Sequence, residues 1–203
     1  MKNIGLYFGT FNPVHVGHLI IANYMAYYTN LDEVWLVVSP QNPLKEKDSM
    51  LADYHRLSLV RVAIENNPKL KASNIEFDLP KPSYTINTLT YLKEKHPGYN
   101  FGLIMGEDNL RTFHKWKNHD QIINNHFLYV YPRILTEQEK NKETEASNAS
   151  NLENHKKVVF CDAPVMKISS SFIRKAIKEK KDVTYLLTDS VAKQVKEMHF
   201  YEK

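Results

Sequence analysis

The chain has 203 residues, of which 42% are hydrophobic and 25% charged, and its formal net charge is +4. This composition excludes a wholly disordered chain, and apolar runs such as residues 34–38 are far shorter than the roughly 20 residues of a membrane helix. The mild charge, with no dense Lys/Arg stripe, predicts neither a nucleic-acid nor a membrane partner. One cysteine and the absence of a secretory pattern in residues 1–8 predict a cytoplasmic, single-domain protein.

Short apolar runs alternate with helical patterns along the chain. The sequence predicts strands at residues 4–8, 34–39, 70–77, 101–105, 127–131 and 158–161, and helices at 17–29, 52–66, 85–95, 170–180 and 190–198. This order is typical of an α/β, Rossmann-like, doubly wound fold with a mainly parallel sheet and helices on both faces. Residues 136–157 are polar and predict a surface insertion within one domain spanning 1–203.

The segment between the first strand and the first helix carries the strongest functional signal. Residues 9–18 read GTFNPVHVGH. Gly9 permits close approach of a ligand, and the free N–H groups at a helix start suit an anion. His15 and His18 share one face of a helical turn, so both can donate hydrogen bonds to phosphate, more strongly if protonated. Histidines that only cap and pack the turn, and zinc ligation with a third ligand missing, stay open as alternatives.

A second candidate phosphate site lies late in the chain, where residues 167–174 read KISSSFIR. Ser169 and Ser170, at a predicted helix start, can cap free N–H groups or hydrogen-bond a phosphate. Arg174 falls in the first turn, where the helix dipole disfavours a cation unless an anion is bound there. An ordinary N-cap followed by an exposed arginine is the alternative interpretation.

The two segments together resemble the signature of the HxGH nucleotidyltransferase superfamily, which pairs a glycine and an HxGH motif with a late (I)SSxxIR motif. The resemblance extends over nearly the whole chain and implies that His15 and His18 contact a nucleoside triphosphate. The sequence departs from the family at Phe8, often glycine, at Asn12, often aspartate, and at Ser171, often threonine. The aspartate missing at position 12 leaves the placement of a metal ion open.

The middle of the chain narrows the resemblance to the bacterial nicotinate-nucleotide adenylyltransferases. Residues 82–89 read PSYTINTL, residues 103–110 read LIMGEDNL and residues 113–117 read FHKWK, which are similar to that family's SYTxxTL loop, GxDxL turn and FxxW segment. Glu107 stands where the family usually has a small residue. The resemblance implies adenylyl transfer from ATP to nicotinate mononucleotide in NAD biosynthesis, giving nicotinate adenine dinucleotide and pyrophosphate, with Mg²⁺ carried by ATP.

The side chains in these segments suit the groups of a pyridine nucleotide and of ATP. Thr85 and nearby N–H groups, in a loop with Tyr84, can hold the carboxylate of nicotinate, and Trp116 can stack on the pyridinium ring. Asp108 follows a strand end and suits a ribose hydroxyl or Mg²⁺. The plainer interpretations are that Trp116 covers a surface and that Asp108 caps a short helix. Lys45 lies in a loop that resembles the family's PxxK segment and is either a triphosphate contact or a solvated lysine.

The sequence thus predicts three sets of site residues. The catalytic set is His15, His18 and Arg174; the ATP-binding set is Gly9, Thr10, Phe11, Lys45, Gly106, Asp108, Ser169, Ser170 and Ile173; the nicotinate-nucleotide set is Tyr84, Thr85 and Trp116. No protein nucleophile is needed, because the attacking oxygen comes from the substrate.

Other functions stay open from the sequence. They are adenylyl transfer to nicotinamide mononucleotide, a phosphopantetheine adenylyltransferase or cytidylyltransferase reaction, and a non-catalytic nucleotide-binding module. The Tyr84-Thr85 loop and Trp116 favour a pyridine nucleotide, and two histidines with Arg174 favour an enzyme over a binding module. The sequence does not determine whether the protein forms a homo-oligomer.

Overall fold

The computed structural model describes residues 1–40, 50–133 and 151–202. Its strands are β1 Lys2–Gly9, β2 Glu33–Val38, β3 Leu70–Ser73, β4 Tyr99–Gly106, β5 Leu128–Tyr131 and β6 Val158–Phe160. Within the described residues they form one parallel sheet in the order β3-β2-β1-β4-β5-β6. This is the strand order of the doubly wound Rossmann-like fold, so the predicted fold class is confirmed.

The helices are α1 Val16–Tyr28, α2 Asp53–Ala63, α3 Thr85–Lys95, α4 Glu107–Thr112, α5 His119–Asn125, α6 Ser170–Lys178 and α7 Asp189–Glu197, with 3-10 helices at Phe113–Lys115, Asn151–Asn154 and Thr184–Leu186. The predicted helices correspond to α1, α2, α3, α6 and α7. α4 and α5 have six and seven residues, too few turns for a hydrophobic period to be visible in the sequence. No helix in the described ranges is long and apolar enough to cross a membrane.

Two elements end three or more residues earlier than the sequence predicts. β3 ends at Ser73 because the chain turns at Asn74, whose carbonyl accepts the N–H of Phe77 over 2.9 Å. α2 ends at Ala63 because the Ile64 N–H bonds to a carbonyl only three residues back. Of the predicted insertion 136–157, only residues 151–157 are described, and Leu152 among them packs against the core.

Two apolar layers, one on each face of the sheet, form the core. Because side chains alternate along a strand, Tyr7 of β1 belongs to the first layer and Leu6 to the second. Side chains of α1, α2, α6 and α7 pack in the first layer, and those of α3, α4 and α5 pack in the second. Helices therefore cover both faces of the sheet, as predicted.

The direction of the chain connections changes between β1 and β4. β1 pairs with β2 on one side and with β4 on the other, so successive crossovers lead away from this point in opposite directions. A ligand crevice forms beyond the carboxyl ends of the strands at such a position. Gly9 ends β1 and Gly106 ends β4, so both predicted ligand loops lie at the same edge of the sheet.

Candidate active site

A cavity of about 530 Å³ opens at the carboxyl edge of the sheet. Its wall includes six residues of the predicted sets, namely Thr10, His15, His18, Ser169, Ser170 and Arg174. Other wall residues include Tyr7, Asn12, Asn109, Tyr131, Arg133 and Met166. Within the described chain this wall offers hydroxyl, amide, imidazole and guanidinium groups and no carboxylate. Such a lining suits a polyanion.

His15 and His18 stand at the start of α1 with their rings stacked, the centroids 3.7 Å apart and the planes at 30°. The main-chain N–H of His15 donates to Nδ1 of His18 over 3.3 Å. Because Nδ1 accepts this bond, a neutral His18 ring carries its proton on Nε2, which is then a donor. Gly17 permits the stack, since a Cβ there would lie 3.1 Å from the His15 ring. The structure thus brings the two predicted imidazoles together.

Burial keeps both imidazoles neutral in the free protein. It lowers the pKa of His15 to about 4. Burial, with smaller contributions from the neighbouring His15 and Arg133, lowers the pKa of His18 well below its usual range. Protonated histidines, which the sequence allowed as the stronger donors, are therefore not the state of the free protein near neutral pH. A bound polyphosphate favours the charged ring and raises these pKa values.

Acid is expected to destabilise the protein through His15. The pKa of its ring is about 4 in the folded state and about 6.5 in an unfolded chain, so the unfolded state takes up the proton first as pH falls. The contribution of His15 to the free energy of unfolding is fully present above about pH 6.5 and decreases by about 2–3 kcal/mol by pH 4.5. Urea unfolding at pH 7 and pH 4.5 measures it. His15→Gln should lose less stability than the wild type over this interval.

Equal losses in the wild type and in His15→Gln would contradict the assignment of His15 as a buried neutral group.

The start of α6 docks on the loop that carries the histidines. Ser170 Oγ donates to the Pro13 carbonyl over 2.9 Å, and Arg174 Nη1 donates to the Asn12 carbonyl over 2.8 Å. The second guanidinium nitrogen of Arg174 donates to Ser171 Oγ over 3.2 Å. The two predicted phosphate segments, which are far apart in the sequence, are therefore joined by direct hydrogen bonds.

Ser169 combines two of the roles considered for it. It is the N-cap of α6, and its Oγ accepts the N–H of Phe172 over 3.2 Å. The N-cap interpretation is thus correct for this serine. Its hydroxyl proton is still available for donation, and the residue lies on the cavity wall, so capping does not prevent phosphate binding.

Gly9, Phe11 and Ile173 support the cavity and are not among its wall residues. A Cβ at Gly9 would lie 2.8 Å from the Phe11 ring. Phe11 has a positive φ of 45° and is buried, and its ring meets that of His18 edge to face at 5.0 Å. Ile173 is buried in the first apolar layer. That these three residues bind ATP stays a prediction. Because their side chains do not line the cavity, such binding concerns their main-chain N–H and C=O groups.

Asp108, at the start of α4, is connected to the cavity wall by an ion pair. Its Oδ2 is 2.5 Å from Nη1 of Arg133, and Arg133 is a wall residue. The other oxygen, Oδ1, is buried without a hydrogen-bond partner in the described part of the chain. Gly106 makes room for this carboxylate, because a Cβ there would lie 2.5 Å from Oδ1. The alternative in which Asp108 caps α4 is not observed, because the N-cap is Gly106.

Tyr84, Thr85 and Trp116 form a separate group on the side of the second layer. Tyr84 precedes α3 and Thr85 begins it. The Nζ of Lys117 lies 4.4 Å from the centroid of the Tyr84 ring, which places the Tyr84 loop against the segment of Trp116. Trp116 is partly buried, and its ring packs on Phe113 at 5.4 Å. None of the three predicted residues is on the described wall of the cavity.

Lys45 lies outside the described residues. Among the residues that are described, no group of three or more histidine, cysteine, aspartate and glutamate side chains is arranged to hold a metal ion.

Arg56 and Arg133 are site residues that the sequence analysis missed. Arg133 follows β5 at the carboxyl edge of the sheet. Because ligands bind at this edge, its position after a predicted strand could have indicated a binding residue. Arg56 of α2 is fully buried, and its Nη1 donates to the carbonyls of Thr10 at 2.6 Å and Ser39 at 2.8 Å. These two carbonyls follow β1 and β2. No sequence pattern distinguishes Arg56 from an ordinary helical arginine.

Comparison with known proteins assigns the family. A model described as cytidylyltransferase-like matches residues 6–176. A protein of Flavobacterium psychrophilum named "Probable nicotinate-nucleotide adenylyltransferase" is 54% identical over 200 residues, which cover 98% of this chain and 99% of that protein. The chain belongs to the nicotinate-nucleotide adenylyltransferase family. A Bacteroides fragilis protein of the same name is 41% identical over 191 residues, covering 94% of this chain and 90% of that protein.

Solved structures agree on the fold of this nicotinate-nucleotide adenylyltransferase family member. The Plasmodium falciparum nicotinic acid mononucleotide adenylyltransferase complexed with NaAD superposes with a TM-score of 0.75, covering 100% of this chain and 98% of that chain. The sequences are only 19% identical, so this likeness concerns the fold alone. The family assignment identifies the chain as a nucleotidyltransferase, as the two phosphate segments predicted.

Proposed function

We propose that this nucleotidyltransferase transfers the adenylyl group of ATP to nicotinate mononucleotide, giving nicotinate adenine dinucleotide and pyrophosphate. The observation that carries the proposal is the docking of two anion-binding segments on one cavity, where Ser170 contacts Pro13 across 157 residues of sequence. The names of the relatives in Flavobacterium psychrophilum and Bacteroides fragilis support the choice of substrate.

The reaction needs charge stabilisation more than proton transfer. A phosphate oxygen of nicotinate mononucleotide attacks the α-phosphorus of ATP, and the bond from that phosphorus to the pyrophosphate oxygen breaks. The nucleophile is already anionic, so the protein positions the reactants and stabilises developing charge. His18 supplies a donor at Nε2, because its Nδ1 is held by the His15 N–H. The neutral ring is fixed in advance toward the charge that develops on the phosphates.

The leaving pyrophosphate is bound by groups from two segments of the chain. Ser169, Ser170 and Arg174 come from the start of α6, and Arg133 follows β5; all four are wall residues. Arg174 retains guanidinium N–H groups beyond its bonds to main chain and serine. Arginine suits this position because its planar fork binds phosphate in a bidentate manner.

The site fits a Mg²⁺ ion that arrives with ATP better than an ion held by the protein. The described wall has no carboxylate, and Oδ1 of Asn12 already accepts bonds from the Tyr201 hydroxyl and the Leu51 N–H. Asp108, with its buried and unpartnered Oδ1, is the carboxylate we assign beside the ion. Mg²⁺ is commonly bound by one carboxylate, substrate phosphates and water, and it neutralises charge on the phosphate oxygens when bound.

We assign the nicotinate end of the substrate to the start of α3. The free N–H groups at Thr85 suit a carboxylate, and the Lys117 ammonium over the Tyr84 ring adds positive charge beside them. Trp116 is partly buried and offers the accessible part of its ring system to the pyridinium. A cationic ring that carries a carboxylate thus matches both an aromatic face and an anion-binding helix start.

The remaining expectations also belong to this proposal. We take residues 1–203 as one nucleotidyltransferase domain with a surface insertion at about 136–157, acting in the cytoplasm on small nucleotides without nucleic-acid or membrane partners. Lys45, outside the described residues, stays a candidate contact for the triphosphate.

Pyrophosphate release tests the proposal directly. The protein is incubated with ATP and Mg²⁺ and, in parallel, with nicotinate mononucleotide, nicotinamide mononucleotide or phosphopantetheine. Fast release with the nicotinate nucleotide is expected, at a kcat/KM at least about tenfold above the amide, because only the acid places a charge at the α3 start. Faster release with the amide would correct the role of Thr85. Release with phosphopantetheine alone, or with no acceptor, would contradict the proposal.

Trp116→Ala tests the assignment of the nicotinate end of the site in the same assay. The KM for nicotinate mononucleotide should rise about thirtyfold, the size of a desolvated cation–π contact, with the KM for ATP little changed. Trp35, near the start of β2, is the control, and Trp35→Phe should leave both KM values as in the wild type. An unchanged KM for the nicotinate nucleotide in Trp116→Ala would remove Trp116 from the substrate site.

A further inference from the structure

The final turn of the described chain reaches back to the catalytic loop. After α7, His199 and Tyr201 adopt positive φ angles of 51° and 68°, so the chain reverses and does not extend the helix. Phe200, between them, is buried in the first apolar layer, with its ring 4.8 Å from that of His55. The reversal is thus anchored by one buried aromatic ring, and it directs Tyr201 toward the carboxyl edge of the sheet.

The Tyr201 hydroxyl donates to Oδ1 of Asn12 over 2.7 Å, across 189 residues of sequence. The same oxygen accepts the Leu51 N–H at 3.2 Å, and the main-chain carbonyl of Asn12 accepts Arg174 at 2.8 Å. Asn12 is only 4% exposed, so water cannot readily replace a lost donor. Burial raises the pKa of Tyr201, which keeps the hydroxyl in its donating form.

Asn12 is linked to the imidazoles by a short stretch of chain. It is followed by Pro13, whose carbonyl accepts Ser170 Oγ, and then by Val14 and His15. The His15 N–H sets the orientation and the tautomer of His18 by bonding to Nδ1. A shift of the main chain at Asn12 therefore moves the group that holds His18.

We propose that Tyr201 is a positioning residue of the active site, whose hydroxyl holds Asn12 and, through it, the main chain that orients His18. The kinetic consequence rests on the proposed adenylyl transfer. The structural consequence, a loss of the fixed His18 tautomer when the hydroxyl is removed, does not depend on which reaction is catalysed.

Tyr129 offers a matched control for Tyr201. Its hydroxyl donates to Oδ1 of Asn30 over 2.6 Å, and the residue is buried, but Asn30 precedes β2 at the amino edge of the sheet. Tyr129→Phe and Tyr201→Phe thus each remove one Tyr–Asn hydrogen bond, and only Tyr201→Phe does so beside the catalytic loop.

Kinetics and spectra are measured on the full chain in both variants. Tyr201→Phe should lower kcat for pyrophosphate release by about 10–10²-fold, the cost of a misplaced catalytic group, with the KM for ATP within about threefold. Tyr129→Phe should lower the melting temperature without lowering kcat. Long-range ¹H–¹⁵N spectra of the imidazoles should show His18 protonated at Nε2 in the wild type and in Tyr129→Phe, and a mixture of tautomers in Tyr201→Phe.

The spectra separate this inference from the proposed function. A wild type that releases no pyrophosphate would refute the adenylyl transfer, while the His18 signals would still decide the role of Tyr201. Unaltered His18 signals in Tyr201→Phe overturn the inference whatever the kinetics show. If Tyr201→Phe does not fold, Asn12→Ala must reproduce the mixed tautomers, and a His18 ring that stays protonated at Nε2 in that variant equally overturns it.

Discussion

Replacing His18 with alanine is expected to lower kcat for pyrophosphate release by about 10²–10³-fold, the usual cost of removing one donor aimed at developing charge. The ring stacks on His15 at the start of α1, with Nδ1 occupied by a main-chain N–H, so Nε2–H is the donor that remains for a phosphate. The KM for ATP should change much less, because the bond strengthens mainly as charge develops. Steady-state release with saturating substrates provides the measurement.

Two conservative replacements test which nitrogen of His18 matters. Glutamine places its amide N–H₂ near the position of Nε2, whereas asparagine places its oxygen near that of Nδ1. His18→Gln should therefore retain more activity than His18→Asn, although the asparagine can still accept the His15 N–H. The reverse ranking would contradict the tautomer assignment.

His126 provides the control for a partly buried ring elsewhere in the fold. Its Nδ1 lies 2.8 Å from the carbonyl of Phe101, in the amino-terminal half of β4. His126→Ala should reduce stability and leave kcat intact. A wild-type kcat in His18→Ala would remove His18 from the catalytic set.

The sequence was sufficient for the parts of the site that local chemistry determines. Gly9, His15 and His18 lie in one continuous segment, and a strand followed by an anion-binding helix start leaves a recognisable pattern. Ser169, Ser170 and Arg174 form a second such segment. The alternation of predicted strands and helices also indicated the doubly wound sheet, because the hydrophobic periods of strands and helices differ. The strand order brings the two segments to the same edge of the sheet, where His15, His18, Ser169, Ser170 and Arg174 line one cavity.

The residues that the sequence did not reveal act over long separations. Tyr201 meets Asn12 across 189 residues and Arg56 meets Thr10 across 46, and no local period records such a pair. The protonation state of the histidines was equally hidden. Burial, a property of the folded chain, lowers the pKa of His15 to about 4, whereas the sequence alone suggests an ordinary imidazole.

The structure explains the role of Asn12, which stands where the family often has aspartate. The sequence indicated only that a carboxylate often present in the family is missing at this position. In the fold, the amide oxygen accepts two hydrogen bonds and the carbonyl a third. Asn12 therefore organises the loop, and the carboxylate that we assign to the metal ion is instead Asp108, paired with Arg133.

Arg56→Met is expected to lower the free energy of unfolding by about 3–5 kcal/mol, which is typical when one partner of a buried, hydrogen-bonded charge is removed. The side chain is fully buried. It donates to the carbonyls of Leu51, Thr10 and Ser39 and pairs with Asp53. Methionine fills a similar volume but leaves three carbonyls without this donor. Urea unfolding at neutral pH measures the loss.

The same substitution should reduce activity below the unfolding transition, because Arg56 fixes the carbonyl of Thr10 on the cavity wall. Arg61→Met is the matched control, since Arg61 lies in the last turn of the same helix and is exposed; its effect on stability should stay within about 0.5 kcal/mol. Arg56→Lys keeps the charge without the planar fork that reaches several carbonyls at once, so it should remain well below the wild type in stability. If Arg56→Met were as stable and as active as Arg61→Met, the ends of β1 and β2 would be held by the sheet alone, and Arg56 would have no part in shaping the site.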